Sequence, residues 1–378
     1  MLILNQSPAH GAPLEASDAE MLGEAGAVAA ADFYAAHEAY RPTPTHDMPA
    51  LAAKLGLGRL SIKDEGQRLG LGSFKALGGA YAVARLAAEA ASQALGRPVT
   101  TGELATPEVA AAVQGMTFAC ATAGNHGRSV AYGAQRLGAR AMIFVPAGVS
   151  EARIAAMAAF GATMVRTQSP YDDSVALAAE IAEERGWSLV SDTAFPGYER
   201  IPQLIMQGYT VIAGEALAQM DEPPTHLFVQ AGVGGLAGAM AGRLATQFGD
   251  RRPKVVVVEP DRAACILESA RAGRSVRIPG QGPTVMSMLE CQQPSLVAWR
   301  ILERAADAFM AVSDEGASQA KRRLARPAGA DVAVSAGESG AAGLAGLIRA
   351  ALDPEAREMI GLDAASRVWV INSETAAP

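Results

Sequence analysis

Short apolar runs rich in β-branched residues recur along this chain between longer alanine-rich stretches of helical spacing, and that alternation limits the fold more than any other feature. Residues 116–121, 141–145, 163–166, 227–230, 255–259 and 368–372 read as buried strands, with 127–137, 149–160, 174–185 and 236–248 as helices among them. A strand that is apolar throughout is covered on both faces, so the pattern predicts an α/β chain of open, twisted, mostly parallel sheets with flanking helices. Ligands in such sheets sit beyond the carboxyl ends of the strands.

A chain of 378 residues has room for two domains of about 150 residues each. The strand–helix steps of 115–192 read as a compact unit, Asp221-Glu222-Pro223-Pro224 as a linker, and 92–107 as a further boundary. The expected division is a large domain of 1–88 with 191–378 and a small domain of 89–190, the active site lying between them. Residues 8–30 read as an extended arm or a short helix.

The formal net charge is −7, and no basic run exceeds Lys321-Arg322-Arg323, which argues against nucleic acid or an anionic membrane as partner. Three cysteines make no even framework and lack metal-ligand spacing; a reducing cytoplasm is the plain expectation. No run of 18 apolar residues occurs, and the first residues carry no positive region, so neither a membrane span nor a signal peptide is expected. The five histidines are scattered, which disfavours a metal site, and the lysines are only Lys54, Lys63, Lys75, Lys254 and Lys321.

Three stretches carry chemistry. In the first, three glycines lead into Ser73-Phe74-Lys75, with Ser73 as the expected N-cap of a helix from Phe74 to Leu86. A lysine in a first helical turn opposes the helix dipole, which favours the neutral amine that covalent catalysis needs; the bland alternative is a solvated lysine. The second, Thr122-Ala123-Gly124-Asn125-His126-Gly127, joins a strand to a helix and suits a carboxylate or phosphate, or else is a tight turn capped by Asn125. The third, Gly232-Val233-Gly234-Gly235-Leu236, is a glycine loop at a helix start that fits a phosphate. It also fits a dinucleotide fingerprint, with Glu259 ending the next strand as the ribose acid. A dinucleotide leaves the first two stretches without a task; pyridoxal phosphate employs all three.

In order and spacing these stretches resemble the fold-type-II pyridoxal-phosphate enzymes related to tryptophan synthase β and threonine dehydratase. Lys75-Ala76-Leu77-Gly78-Gly79, 192–198, Ile205-Met206-Gln207-Gly208-Tyr209 and Gly337-Glu338-Ser339-Gly340-Ala341 are similar to the diaminopropionate ammonia-lyases within them, over about residues 40–374. The resemblance implies pyridoxal 5′-phosphate bound covalently to Lys75, which also removes the α-proton. It implies Asn125 on the phenolic oxygen, Gly232, Val233, Gly234, Gly235 and Leu236 on the phosphate, and Ser373, with Asn372 as alternative, on the ring nitrogen. Thr122, Ala123, Gly124 and His126 would meet the substrate. Asp192 would serve its amine or a proton transfer, against the plain alternative of an N-cap for a helix at 195–201. The implied reaction is α,β-elimination of 2,3-diaminopropionate to pyruvate and ammonia by a homodimer in amino-acid degradation. The rivals are a serine or threonine dehydratase and a dinucleotide-dependent enzyme.

One departure bears on stereochemistry. Family members commonly carry an acid two positions before the turn asparagine, associated with the D-isomer, and this chain has Ala123 there, so the L-isomer is expected to be preferred. Cys265 and Cys291 flank 261–290, expected to be mobile. Reduced thiols are the plain expectation, a reversible disulfide over the site the lesser one.

Overall fold

The computed structural model describes residues 1–122, 124–168 and 171–376. Its strands are β1 (Leu2–Leu4), β2 (Thr45–Asp47), β3 (Arg59–Asp64), β4 (Thr117–Ala121), β5 (Arg140–Val145), β6 (Thr163–Arg166), β7 (Ser188–Leu189), β8 (His226–Gln230), β9 (Lys254–Pro260), β10 (Ala308–Val312) and β11 (Arg367–Asn372). They form a seven-stranded sheet of order β1-β10-β9-β8-β11-β3-β2, parallel except at its two edges, and a parallel four-stranded sheet of order β6-β5-β4-β7. All of the second sheet lies within 89–190, and the expected boundary at 88 falls inside the continuous helix Lys75–Leu95.

The run Val255–Val258 shows why the large sheet is covered twice. Side chains alternate across a strand, so Val255 and Val257 enter one core while Val256 and Val258 enter the other, all fully buried. Burying a side chain of this size stabilises by roughly 1.5–3 kcal/mol. At the N-terminus the arm is more ordered than its sequence suggests: β1 closes one sheet edge, and helices Ala16–Leu22 and Glu24–Ala35 follow.

The helix Lys75–Leu95 is clamped between Asn125–Arg136 and Arg200–Ala218 by absent side chains. A Cβ on Gly78 would lie 2.5 Å from the Tyr209 ring, and one on Gly208 would lie 2.3 Å from the Leu77 carbonyl oxygen. Only glycine lets these backbones approach so closely. The segment from β3 to Lys75 is held from below by a buried charge cluster. Arg68 donates to Glu65 (2.7 Å) and Glu215 (2.7 Å), and Lys63 donates to Glu215 (2.6 Å) and the Thr43 carbonyl oxygen (2.6 Å). Two cations meet two anions there, so none is left as a buried unpaired charge.

Candidate active site

The carboxyl ends of β4, β5, β8 and β11 open onto one cavity of about 720 Å³. Lys75, Thr122, Gly124, Asn125, His126, Asp192, Gly232 to Leu236 and Ser373 all line it, so the sequence-distant candidates meet. Ala123 lies outside the described residues.

Lys75 is the first residue of its helix, but the N-cap position is Phe74 and not Ser73, and no side chain caps it. Ser73 instead bridges to Glu374 beside the end of β11, which fixes the lysine's entry point. The Lys75 ammonium donates to Asp192 Oδ2 and lies 5.4 Å from the centre of the Phe74 ring. Asp192 does not cap a helix; the next begins at Arg200, and the carboxylate is turned to the lysine. Its loop is pinned by Tyr198, whose hydroxyl accepts from Ser191 N (2.9 Å) and donates to Leu189 O (2.8 Å), and by Ser295 Oγ, which accepts from Ala194 N (2.9 Å). Burial works against ionisation of Asp192, but the Lys75 charge and its hydrogen bond outweigh it and hold the carboxyl well below the usual carboxylate range.

The turn after β4 is capped by Gly124 rather than by Asn125, whose Nδ2 donates to Glu374 Oε2 at 2.7 Å. Burial pushes the Glu374 carboxyl above its ordinary value. His126 Nε2 lies 2.7 Å from the Val190 carbonyl oxygen, a contact only an N–H can make, so Nδ1 is the unprotonated nitrogen; it is buried without a partner among the described residues. Burial lowers the imidazole pKa, which keeps the ring neutral.

The third stretch curls at Gly234, whose φ of +97° is left-handed, and the helix Gly235–Phe248 begins directly after it. The first amides of that helix have no acceptor inside it, and they carry its positive dipole end. Cys265 Sγ donates to Gly232 O at 3.7 Å, and Cys291 Sγ would stand 3.0 Å from a Cβ at Gly232. All three cysteines are free thiols, and burial pushes the Cys291 thiol up to about 12. The segment between them is not loose throughout: Cys265–Ala272 is helical, and Ser287–Leu289 forms a turn over the cavity.

Glu259 is not available to a ribose. Its carboxylate oxygens accept from Ile266 N (2.8 Å) and Leu267 N (2.7 Å), closing the start of the helix Cys265–Ala272. At the end of β11, Asn372 turns out of the cavity and donates to Asp64 Oδ1 (2.7 Å) and Ser335 O (3.0 Å), whereas Ser373 faces it. Sequence reasoning missed Gln230 and Glu374 as site components, although each lies beside a stretch it singled out. The described residues contain no helix long and apolar enough to cross a membrane and no cluster of three metal-ligating side chains.

Pyridoxal phosphate is tested here by its three polar ends. A lysine amine for the aldehyde, a row of helix-start amides for the phosphate and a neutral hydroxyl for the ring nitrogen border the same cavity, so the residues fit the group.

Comparison with known proteins agrees. The family model for pyridoxal-phosphate dependent enzymes matches residues 36–373. Diaminopropionate ammonia-lyase of Escherichia coli strain K12 is 38% identical over 361 residues, covering 94% of this chain and 89% of its own length. The Salmonella typhimurium enzyme of the same name is 38% identical over 346 residues, covering 89% and 85%. The solved structure of the Escherichia coli enzyme with an aminoacrylate-PLP azomethine reaction intermediate has a TM-score of 0.88 at 35% identity and covers 99% of this chain and 94% of that one.

Proposed function

The chain belongs to the pyridoxal-phosphate dependent enzymes, and from that premise we propose that it is a carbon–nitrogen lyase that converts 2,3-diaminopropionate, with preference for the L-isomer, to pyruvate and ammonia. The observation that carries the reading is the Lys75–Asp192 pair at the wall of the glycine-cradled cavity. The relatives' names supply the substrate.

When bound, pyridoxal phosphate supplies the aldehyde that links to an amine and the conjugated ring that accepts an electron pair from Cα. Lys75 holds it, and the amides of Gly232, Val233, Gly234, Gly235 and Leu236 receive its phosphate at the positive end of the helix. Asn125 spends one N–H on Glu374 and keeps the other for the phenolic oxygen. Ser373 meets the ring nitrogen. Thr122, Gly124 and His126, and with them Ala123, would meet the substrate and its carboxylate.

Lys75 Nζ would be the base that receives the α-proton of the substrate. The departing β-amine must leave as neutral ammonia, which requires it to be an ammonium while bound. Asp192 suits that need as an anion and not as an acid: the carboxylate that pairs with the Lys75 ammonium is placed to pair with a substrate ammonium in its stead. Water then converts the released aminoacrylate to pyruvate and a second ammonia. Ala123 offers no proton acceptor, which favours the hand of substrate whose α-proton faces Lys75.

The division into 1–88 with 191–378 and 89–190, a homodimeric assembly and a cytoplasmic location belong to the same proposal, the last supported by three unpaired thiols. Pyruvate release from L- and D-2,3-diaminopropionate, L-serine and L-threonine tests the reading. The expected order of kcat/KM places L-2,3-diaminopropionate first; a higher value for either hydroxy amino acid makes the chain a dehydratase instead.

A further inference from the structure

We propose that Gln230 is a positioning residue that forces Ser373 to aim its hydroxyl proton into the cavity, so that the ring nitrogen seated there is held unprotonated. The inference rests on Ser373 as the partner of that nitrogen and adds the group that sets the partner's polarity.

Gln230 is the last residue of β8 and Ser373 directly follows β11, the neighbouring parallel strand. Both are at least 97% buried. Gln230 Nε2 lies 3.0 Å from the Gly340 carbonyl oxygen, 3.0 Å from the Ile371 carbonyl oxygen and 2.7 Å from Ser373 Oγ. The two carbonyls accept only, so they decide which end of the amide faces them. A flipped amide would set its oxygen against both.

Gln230 Oε1 points the other way, without a hydrogen-bond partner among the described residues, against Gly343, where a Cβ would stand 2.8 Å from it. With the amide so fixed, its nitrogen has no lone pair to offer. The two hydrogens of Nε2 serve three acceptors, so one is shared. Ser373 Oγ, the nearest at 2.7 Å, accepts because it cannot donate to a nitrogen without a lone pair; its own proton then goes elsewhere. Ser373 lines the cavity, which offers that proton a direction. A hydroxyl that donates into the cavity matches a nitrogen with its lone pair free and opposes one that carries a proton.

The test uses the holoenzyme loaded with pyridoxal phosphate labelled with 15N in the ring, in wild type, Gln230→Leu and Ser373→Ala. The readouts are the 15N chemical shift and the dissociation constant of the group from the apoenzyme. Wild type is expected to show the shift of an unprotonated, hydrogen-bonded nitrogen. In Gln230→Leu the Gly340 and Ile371 carbonyls lose their donor and compete for the serine proton. The resonance should then move as it does in Ser373→Ala, and the dissociation constant should rise by about tenfold in each, the scale of one lost hydrogen bond. The double variant should be no weaker than Ser373→Ala alone.

A wild-type shift of a protonated nitrogen overturns the proposal, and that measurement stands even if Gln230→Leu fails to fold. An unmoved resonance in Gln230→Leu, beside a moved one in Ser373→Ala, overturns it while leaving Ser373 in place. An unmoved resonance in Ser373→Ala sinks the assignment of Ser373 itself.

Discussion

The Lys75 ammonium and the Asp192 carboxylate form an ion pair that joins the first turn of the helix Lys75–Leu95 to the loop after β7. The pair spans the two sheets: Lys75 hangs from the seven-stranded one through β3 and Ser73, and Asp192 follows the last strand of the four-stranded one. The nucleophilic amine and the anion beside it are therefore set by independent parts of the fold. Neither depends on the local helix propensity that first drew attention to Lys75.

Replacing the anion without its shape tests its part in the reaction. Asp192→Asn should retain the bound group and lower the rate of pyruvate formation by about 10²–10³-fold, the range for loss of one positioned group that stabilises charge. Steady-state kinetics on L-2,3-diaminopropionate checks this. An unchanged rate removes Asp192 from the chemistry.

Stereochemistry turns on position 123. Wild type should release pyruvate faster from L- than from D-2,3-diaminopropionate, and Ala123→Asp should raise the rate on the D-isomer while leaving the L-isomer rate within a few-fold. Equal wild-type rates on both isomers contradict the argument.

Stability should depend on the charge cluster below the lysine. Burial raises the Glu215 carboxyl, but hydrogen bonds from Arg68, its charge and that of Lys63 bring it down to about 2. A folded pKa below the unfolded value of about 4.3 makes the carboxylate stabilising above that value, and the contribution is lost as pH falls toward 2. Glu215→Gln should cost about 3–5 kcal/mol at neutral pH, because it leaves Lys63 and Arg68 with one anion fewer. The gap between variant and wild type should narrow below about pH 4.3. Urea denaturation at several pH values measures both.

The phosphate loop offers a backbone test. At Gly234, φ is +97° and a Cβ would come within 3.0 Å of the Ala298 Cβ and 3.1 Å of Ile266 Cδ1. Gly234→Ala should destabilise by about 1–3 kcal/mol through strain and crowding. It should also weaken binding of pyridoxal phosphate to the apoenzyme. Thermal melting and a spectroscopic titration give the two effects separately.

Six strands were legible in the sequence to within one residue at each end, all but the half-buried β6 because a strand buried on both faces is an uninterrupted apolar run. The edge strands β1 and β2 were not; three residues with half-exposed sides leave no pattern. β3 was hidden by Lys63, whose charge is matched by Glu215, 152 positions away. The site residues were legible where glycine and lysine sit at strand–helix junctions. The caps were not: Ser73, Asn125 and Asp192 all have cap chemistry, yet each is claimed by a partner from another element or lies where no helix begins. Gln230 escaped notice for the same reason, since its three acceptors come from residues 110 to 143 positions away.

The most direct test is reduction of the holoenzyme with borohydride followed by peptide mass spectrometry. The chain has five lysines, so the outcome is discrete. The account predicts the reduced pyridoxyl group on Lys75 alone. Its attachment to Lys54, Lys63, Lys254 or Lys321, or no attachment after saturation with pyridoxal phosphate, would contradict it.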